Sequence, residues 1–466
     1  MRSFACWLAT NHFIMQSLYR LYRSEIQTTF RLALPIIFGQ LGIMLMGVAD
    51  TIQVGHIEVD AKIALDAAGI ANGIYITIAV LGINALGVIA PMVSKAHERG
   101  NQQEVSRLHH VSYNVAWLSS LVCGAIIFLL SLQFQWLGQS PKVSALAVPY
   151  LWIITTSIIP MFLFLATRQL SDGLSQTRVA MVITLSAVLV NIALNHLLIN
   201  GIWIFPKWGL NGAGVATLIA RTYMAVVIYV YVKRSAFFAV YTQTKEKFTK
   251  HWQLIGYIFK IGIPSGMQGF FEIAVFAMAA VMMGWLGEDQ QAAHMIAINP
   301  ASVTYMMISG LAAAGGIRVG AGLGQRSRSA ILKSGTTALV LGASFMLLCG
   351  FIFLFGNEWI VSLYIRDERV MPIASTLVMM AAFFQLSDGI QCVALGVLRG
   401  VADVNVPTGV TLFAYWGVGL PVGYYLTFVK NMDAVGLWIG LTAGLTAAAV
   451  LLTWRFYRLV NKLQLT

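Results

Sequence analysis

The sequence predicts an all-α membrane protein of twelve transmembrane helices in two similar six-helix halves. Three observations predict it. Hydrophobic residues make up 58% of the 466-residue chain, charged residues only 10%, and the mean hydropathy is +0.76. A soluble chain carries roughly 25% charged residues, so length here supplies membrane spans and not globular cores. The apolar residues fall into runs of spanning length, about 17–25 residues or longer when tilted. The basic residues collect in alternate junctions between those runs, as cytoplasmic loops do.

The chain opens on MRSFACWLATNHF, whose apolar part is short and interrupted by Asn11 and His12, unlike a cleaved signal peptide. Residues 1–30 read as a cytoplasmic extension, ending in an amphipathic stretch around Arg20, Arg23 and Glu25. Twelve runs follow, at 32–55, 63–92, 109–132, 144–165, 178–200, 210–232, 254–286, 291–317, 331–356, 370–396, 407–428 and 434–458. Of the 30 lysines and arginines, 23 lie at the N-terminus, the even-numbered junctions and the C-terminus. Six lie at the odd junctions, and Arg221 alone falls mid-run. That asymmetry places both termini in the cytoplasm and fixes an even number of spans. The net charge of +12 follows from the same loops and does not indicate nucleic acid.

The most polar long stretch, residues 233–253, separates an N-lobe at 31–232 from a C-lobe at 254–466. Six runs per lobe means both enter from the same side, so a pseudo-two-fold axis would run along the membrane normal. Internal similarity supports the repeat. LALPIIFGQLGIMLMGVADTIQVG (32–55) has a counterpart in IGIPSGMQGFFEIAVFAMAAVMMGWLG (261–287), with Pro35 and Pro264 at matching places. The stretch 66–100 parallels 291–325, both with an Ala-Ala opening, a Gly-rich run and a basic loop. Gly87, Gly212, Gly315, Gly316 and Gly423 are among the small residues that permit close helix approach. Cys6, Cys123, Cys349 and Cys392 have no metal or redox spacing and read as packing residues.

Three carboxylates lie deep inside apolar runs, away from the run ends: Asp50 in the first, Glu272 in the seventh and Asp388 in the tenth. An acid at span depth costs about 2.5–3.5 kcal/mol on insertion scales, which makes each a functional-site candidate. Asn191 and Asn195 share one helix face, and Thr217 lies in the next run. With Asp50 they would offer hard oxygens to Na⁺ or a polar cage to a protonatable acid, and separate interhelical hydrogen bonds are the alternative. Glu272 follows Phe270 and Phe271, and Phe384 stands one turn before Asp388, an arrangement suited to lipophilic cations. Arg221 needs a partner at its depth or a watery cavity. Arg168, Asp172, Arg178, Arg399 and Asp403 read as charges that anchor loops. His196 reads as structural.

At LALPIIFGQL, GVADTIQVG, PMVSKAHERGN, RQLSDGLSQTRVAM, NIALNHLLINGIWIFPKWGLNGAGVAT, AAHMIAINPAS, IRVGAGLGQ, LSDGIQCVALGVLRGVAD and PVGYYL, the chain resembles the multidrug and toxic compound extrusion (MATE) family. The resemblance is greatest to its bacterial NorM-like branch and covers about residues 25–460. It implies secondary efflux of organic, mainly cationic compounds by a monomer in membrane lipid, with Na⁺ or H⁺ entering as the transported coupling ion and no cofactor. It implies a cation site at Asp50, Asn191, Asn195 and Thr217, and a C-lobe cation or substrate site at Glu272, Asp388, Phe384 and Phe271. The family commonly has a tyrosine where this chain has Phe384, so the N-lobe set is the preferred ion site. A flippase or exporter of a lipid-linked or other non-drug metabolite is the alternative. Its cavity should be basic, and three acids against one arginine disfavour it. A transporter of the major facilitator type lacks its signature in KAHERGNQQ. An intramembrane enzyme lacks any HExxH or GxSxG motif, and a passive channel is disfavoured alongside it.

Overall fold

The computed structural model describes residues 2–57, 60–203, 205–242 and 251–464, with side chains from Arg23 onward apart from Gln135 and Leu137. Cys6 and the junction lysines Lys245, Lys247 and Lys250 therefore lie outside the described side chains. Twelve helices among the described residues are long and apolar enough to span a membrane. They are span 1 (Arg23–Gly55), span 2 (Ala61–Glu98), span 3 (Gln102–Leu132), span 4 (Pro141–Gly173), span 5 (Thr177–Asn200) and span 6 (Leu210–Arg234). The second half holds span 7 (Trp252–Leu286), span 8 (Glu288–Gly324), span 9 (Arg328–Ser362), span 10 (Val370–Gly400), span 11 (Asn405–Val429) and span 12 (Asp433–Lys462). Each covers the corresponding apolar run. Most are longer than the run, because helical turns continue past the apolar core into polar sequence.

Local chemistry sets several boundaries. Asn101 accepts from the Glu104 N–H at 3.0 Å, Ser140 from Val143 at 3.3 Å, and Ser327 from Ala330 at 3.2 Å. These side chains cap spans 3, 4 and 9 by satisfying donors that have no intrahelical partner. Spans 2 and 4 are each broken once, at Val88 and at Ser157. Pro91 and Pro160 account for the breaks, since a proline ring clashes with the carbonyl four residues earlier. Span 11 has two wide, π-type stretches, Phe413–Gly419 and Tyr425–Val429. It packs on span 12 through glycines so tightly that a Cβ at Gly440 would stand 2.3 Å from the Gly423 backbone.

Lipid-facing character is plain on the outside. Leu189, Val450 and Phe355 are exposed, and Trp136, Trp203, Trp285 and Trp359 are exposed at span ends on the face away from the basic loops. Tryptophans at that depth form an interfacial belt.

Two apolar cores hold the halves together, and each borrows from the other. The first draws on spans 1 to 6 but includes Ile255, Ile258 and Ile261 from the start of span 7. The second draws on spans 7 to 12 but includes Leu32, Ala33 and Ile36 from the start of span 1. Spans 1 and 7 thus begin in the opposite lobe and finish in their own. The lobes meet along the half of the membrane that leads to the basic loops. There a Cβ at Gly266 would lie 2.6 Å from Leu81 O, at Gly310 2.7 Å from Ile37 Cγ1, at Gly320 2.5 Å from Pro91 O, and at Gly324 2.5 Å from Lys95 O. Absent side chains let these backbones touch.

Candidate functional site

Asp50 sits past the middle of span 1, where the helix has crossed into the N-lobe. Gly39 and Gly42 bring it there: a Cβ at Gly42 would stand 3.1 Å from Thr184 Cγ2 of span 5. Spans 5 and 6 are drawn together by a tight turn, with Gly201 in the left-handed region (φ +69°) and Gly212 seated on the Leu198 carbonyl. Only glycine accommodates both demands at low cost. The result is one buried cluster. Asn195 Nδ2 donates to Asp50 Oδ1 at 2.6 Å, and the Thr217 hydroxyl donates to Asp50 Oδ2 at 2.8 Å. Asn191 closes the ring, accepting from Asn195 and donating to Thr217, both at 3.4 Å. The sequence left open whether these residues meet; the structure joins all four. Asn195 Oδ1 is buried and has no hydrogen-bond partner among the described atoms.

Arg221, one turn beyond Thr217, is held by hydroxyls. It donates to Tyr75 Oη and to Ser157 Oγ, each at 2.6 Å, and its guanidinium lies 4.8 Å from the Tyr75 ring centre. Ser157 is the break residue of span 4, so this arginine ties spans 2, 4 and 6 where a helix ladder is interrupted. Its partners are two hydroxyl groups, and neither was visible from spacing.

The C-lobe cluster is built on spans 7, 8 and 10. Glu272 accepts from the Tyr305 hydroxyl at 3.0 Å and from Gln391 Nε2 at 3.1 Å. The same Gln391 amide stands 3.4 Å from Asp388 Oδ1, so one donor bridges two carboxyl groups. All three of Glu272, Asp388 and Gln391 are buried. Gln391 Oε1 and the Tyr415 hydroxyl are buried there without partners among the described atoms. Phe384 is buried edge-on against Trp438, with ring centres 5.5 Å apart. Phe271 packs edge-on with Phe270, and its carbonyl accepts from Trp416 Nε1 at 3.4 Å. A hydroxyl does reach Glu272, and it comes from another helix through Tyr305. Tyr305 carries no sequence signal for this role, because nothing in its own run ties it to Glu272, 33 residues earlier.

Three charges read as loop anchors sit elsewhere. Arg168 and Asp172 are buried and paired at 3.1 Å within the last turns of span 4, since i and i+4 share a helix face. Arg399 lies in the last turn of span 10 and donates to Gln268 Oε1 at 3.0 Å, linking spans 10 and 7. Asp403 does anchor its loop, accepting from Arg455 Nε at 2.8 Å.

Fold and sites together define a two-lobed, twelve-span membrane protein with an acid-centred polar cluster inside each lobe. The MatE family model matches residues 35–197 and again 264–425, once in each lobe, and the chain belongs to that family. Relatives include the "Probable multidrug resistance protein NorM" of Rhizobium meliloti (strain 1021), 30% identical over 97% of this chain and 98% of that one. The protein of the same name from Mesorhizobium japonicum is 31% identical over 94% and 95%. Among solved structures, the eukaryotic MATE transporter AtDTX14 superposes with a TM-score of 0.85 at 18% identity, covering 95% of this chain and 98% of that one. An outward-facing multidrug resistance MATE family transporter superposes at 0.78 with 18% identity, over 95% and 97%.

Proposed function

We propose that the protein is a monomeric antiporter of the bacterial inner membrane that exports organic, mainly cationic compounds in exchange for Na⁺ or H⁺. The similarity to relatives named as NorM multidrug resistance proteins supports drug efflux. The basic loops and both termini would face the cytoplasm, so a seam closed on that side corresponds to an outward-open state. The observation that carries the coupling is the Asp50 cluster: a buried carboxylate holding two donors, beside an amide oxygen that holds none.

That arrangement suits a carboxylate awaiting its cation. A proton on Asp50 would occupy one of its two oxygens and so weaken the hydrogen bond from either Asn195 or Thr217. A Na⁺ ion would instead recruit oxygens, and rotation of the Asn195 amide would present Oδ1 in place of Nδ2. Either event rearranges the contacts of span 1 with spans 5 and 6. Because span 1 begins in the C-lobe core, the rearrangement bears on how the lobes meet. Coupling requires only that the ion bind the two lobe arrangements with different affinity. Glu272, Asp388 and the neighbouring aromatic rings would receive the positively charged substrate, or a second ion, in the C-lobe.

The test is transport of a fluorescent organic cation in liposomes, under a Na⁺ gradient at equal pH and then a pH gradient without Na⁺. Asp50→Asn is expected to abolish coupled transport while reaching the membrane at normal levels. Unchanged coupling in that variant would remove the Asp50 mechanism, and transport driven by neither gradient in the wild type would remove the antiporter reading.

A further inference from the structure

A cavity of about 580 Å³ lies at the seam on the basic-loop face. Its walls come from both lobes: the start of span 1, the end of span 2 and the span 4–5 turn on one side, the end of span 8 and the start of span 9 on the other. We propose that this cavity binds a phosphate group, carried by an anionic phospholipid of the adjacent leaflet, and that the bound group holds the basic-loop side closed.

The charges of the lining sort into spent and unspent. Arg318 donates to the Glu25 carboxylate and to the Thr29 hydroxyl, so that cation and that acid satisfy each other. The Glu98 carboxylate accepts from Gln325 Nε2 at 2.8 Å. Arg31 and Arg178 remain, one from the start of span 1 and one from the start of span 5, with no ion pair among the described residues. Two guanidinium groups on one cavity suit phosphate, whose oxygens accept paired N–H donors. Ser94 adds a hydroxyl to the wall, and the first turn of span 5, also on the wall, has no side-chain cap. A helix start favours an anion. The cavity faces the side where anionic headgroups would meet basic loops.

Its position gives the ligand a consequence. The lining exists as one surface only while spans 1 and 2 touch span 8, as they do at Gly310, Gly320 and Gly324. A ligand that needs both walls favours the arrangement that supplies both, by its differential affinity for that state.

The experiment is native mass spectrometry of the purified full chain, delipidated and then titrated with phosphatidylglycerol or, separately, with inorganic phosphate. The wild type is expected to retain one phosphatidylglycerol, and the double variant Arg31→Gln/Arg178→Gln to lose at least ten-fold in occupancy. A control pair outside the cavity, Lys233→Gln/Arg234→Gln at the exposed end of span 6, is expected to retain it. The single variant Arg178→Gln serves if the double variant fails to purify. Retention of inorganic phosphate and not lipid would keep the phosphate site and overturn its lipid source. Equal occupancy of both probes in wild type and variant, or an equal loss in the control pair, would overturn the site.

Discussion

At the scale of the residue, the two acid clusters differ in what completes them. Asp50 is satisfied by donors from spans 5 and 6, and each hydrogen bond to a charged group contributes about 1.5–3 kcal/mol. Thr217→Val removes one donor at nearly constant volume. It is expected to lower stability by about that amount, read as a reduced Tm in detergent, and to weaken ion-coupled transport. In the C-lobe the hydroxyl comes from Tyr305. Tyr305→Phe should therefore lower transport of organic cations more than Phe384→Tyr changes it, since Phe384 is engaged with Trp438. A transport assay showing the reverse order would place the functional hydroxyl at the span 10 position instead. The acids and asparagines were legible in sequence because polar groups at span depth are conspicuous. Tyr75, Ser157, Tyr305 and Tyr415 were not, because tyrosine and serine inside an apolar run have no spacing signature and their partners lie on other helices.

At the scale of the element, glycine decides how closely helices approach. Gly440 has no room for even a methyl group against span 11. Gly440→Ala is expected to cost about 1–3 kcal/mol through overpacking, measured as loss of thermal stability. At the lobe seam the same substitution class should act on conformation. Gly320→Val would drive a side chain into the Pro91 carbonyl. Its expected outcome is a more open basic-loop side, seen as faster thiol labelling of a Ser94→Cys reporter. An unchanged labelling rate would show that the seam yields without opening. All twelve spans could be placed from hydropathy, because length and apolar content are local properties. The breaks at Val88 and Ser157 could have been placed from Pro91 and Pro160. The wide turns of span 11 could not, since they answer to packing against span 12.

At the scale of the whole molecule, loop charge and internal similarity gave the two-half plan, and periodicity alone could not say which spans of one half face the other. That depends on glycines set against backbone distant in sequence, such as Gly266 against the Leu81 carbonyl and Gly320 against the Pro91 carbonyl. The buried Arg168–Asp172 pair shows the same limit: in sequence it flanks a loop, and in space it is enclosed.

The exchange of helix starts between the cores bears on how the chain is made. While the first six spans are being inserted, Leu32, Ala33 and Ile36 have no core to enter, because the second core's helices have not yet been synthesised. Ile255, Ile258 and Ile261 later complete a first lobe that was left short of them. Residues 1–242 expressed alone should be more readily proteolysed than the same residues co-expressed with 243–466, and the two fragments should copurify. Assembly is thereby a check on synthesis: a truncated chain leaves the start of span 1 without its packing partners, a loosely held helix that quality-control proteases can read.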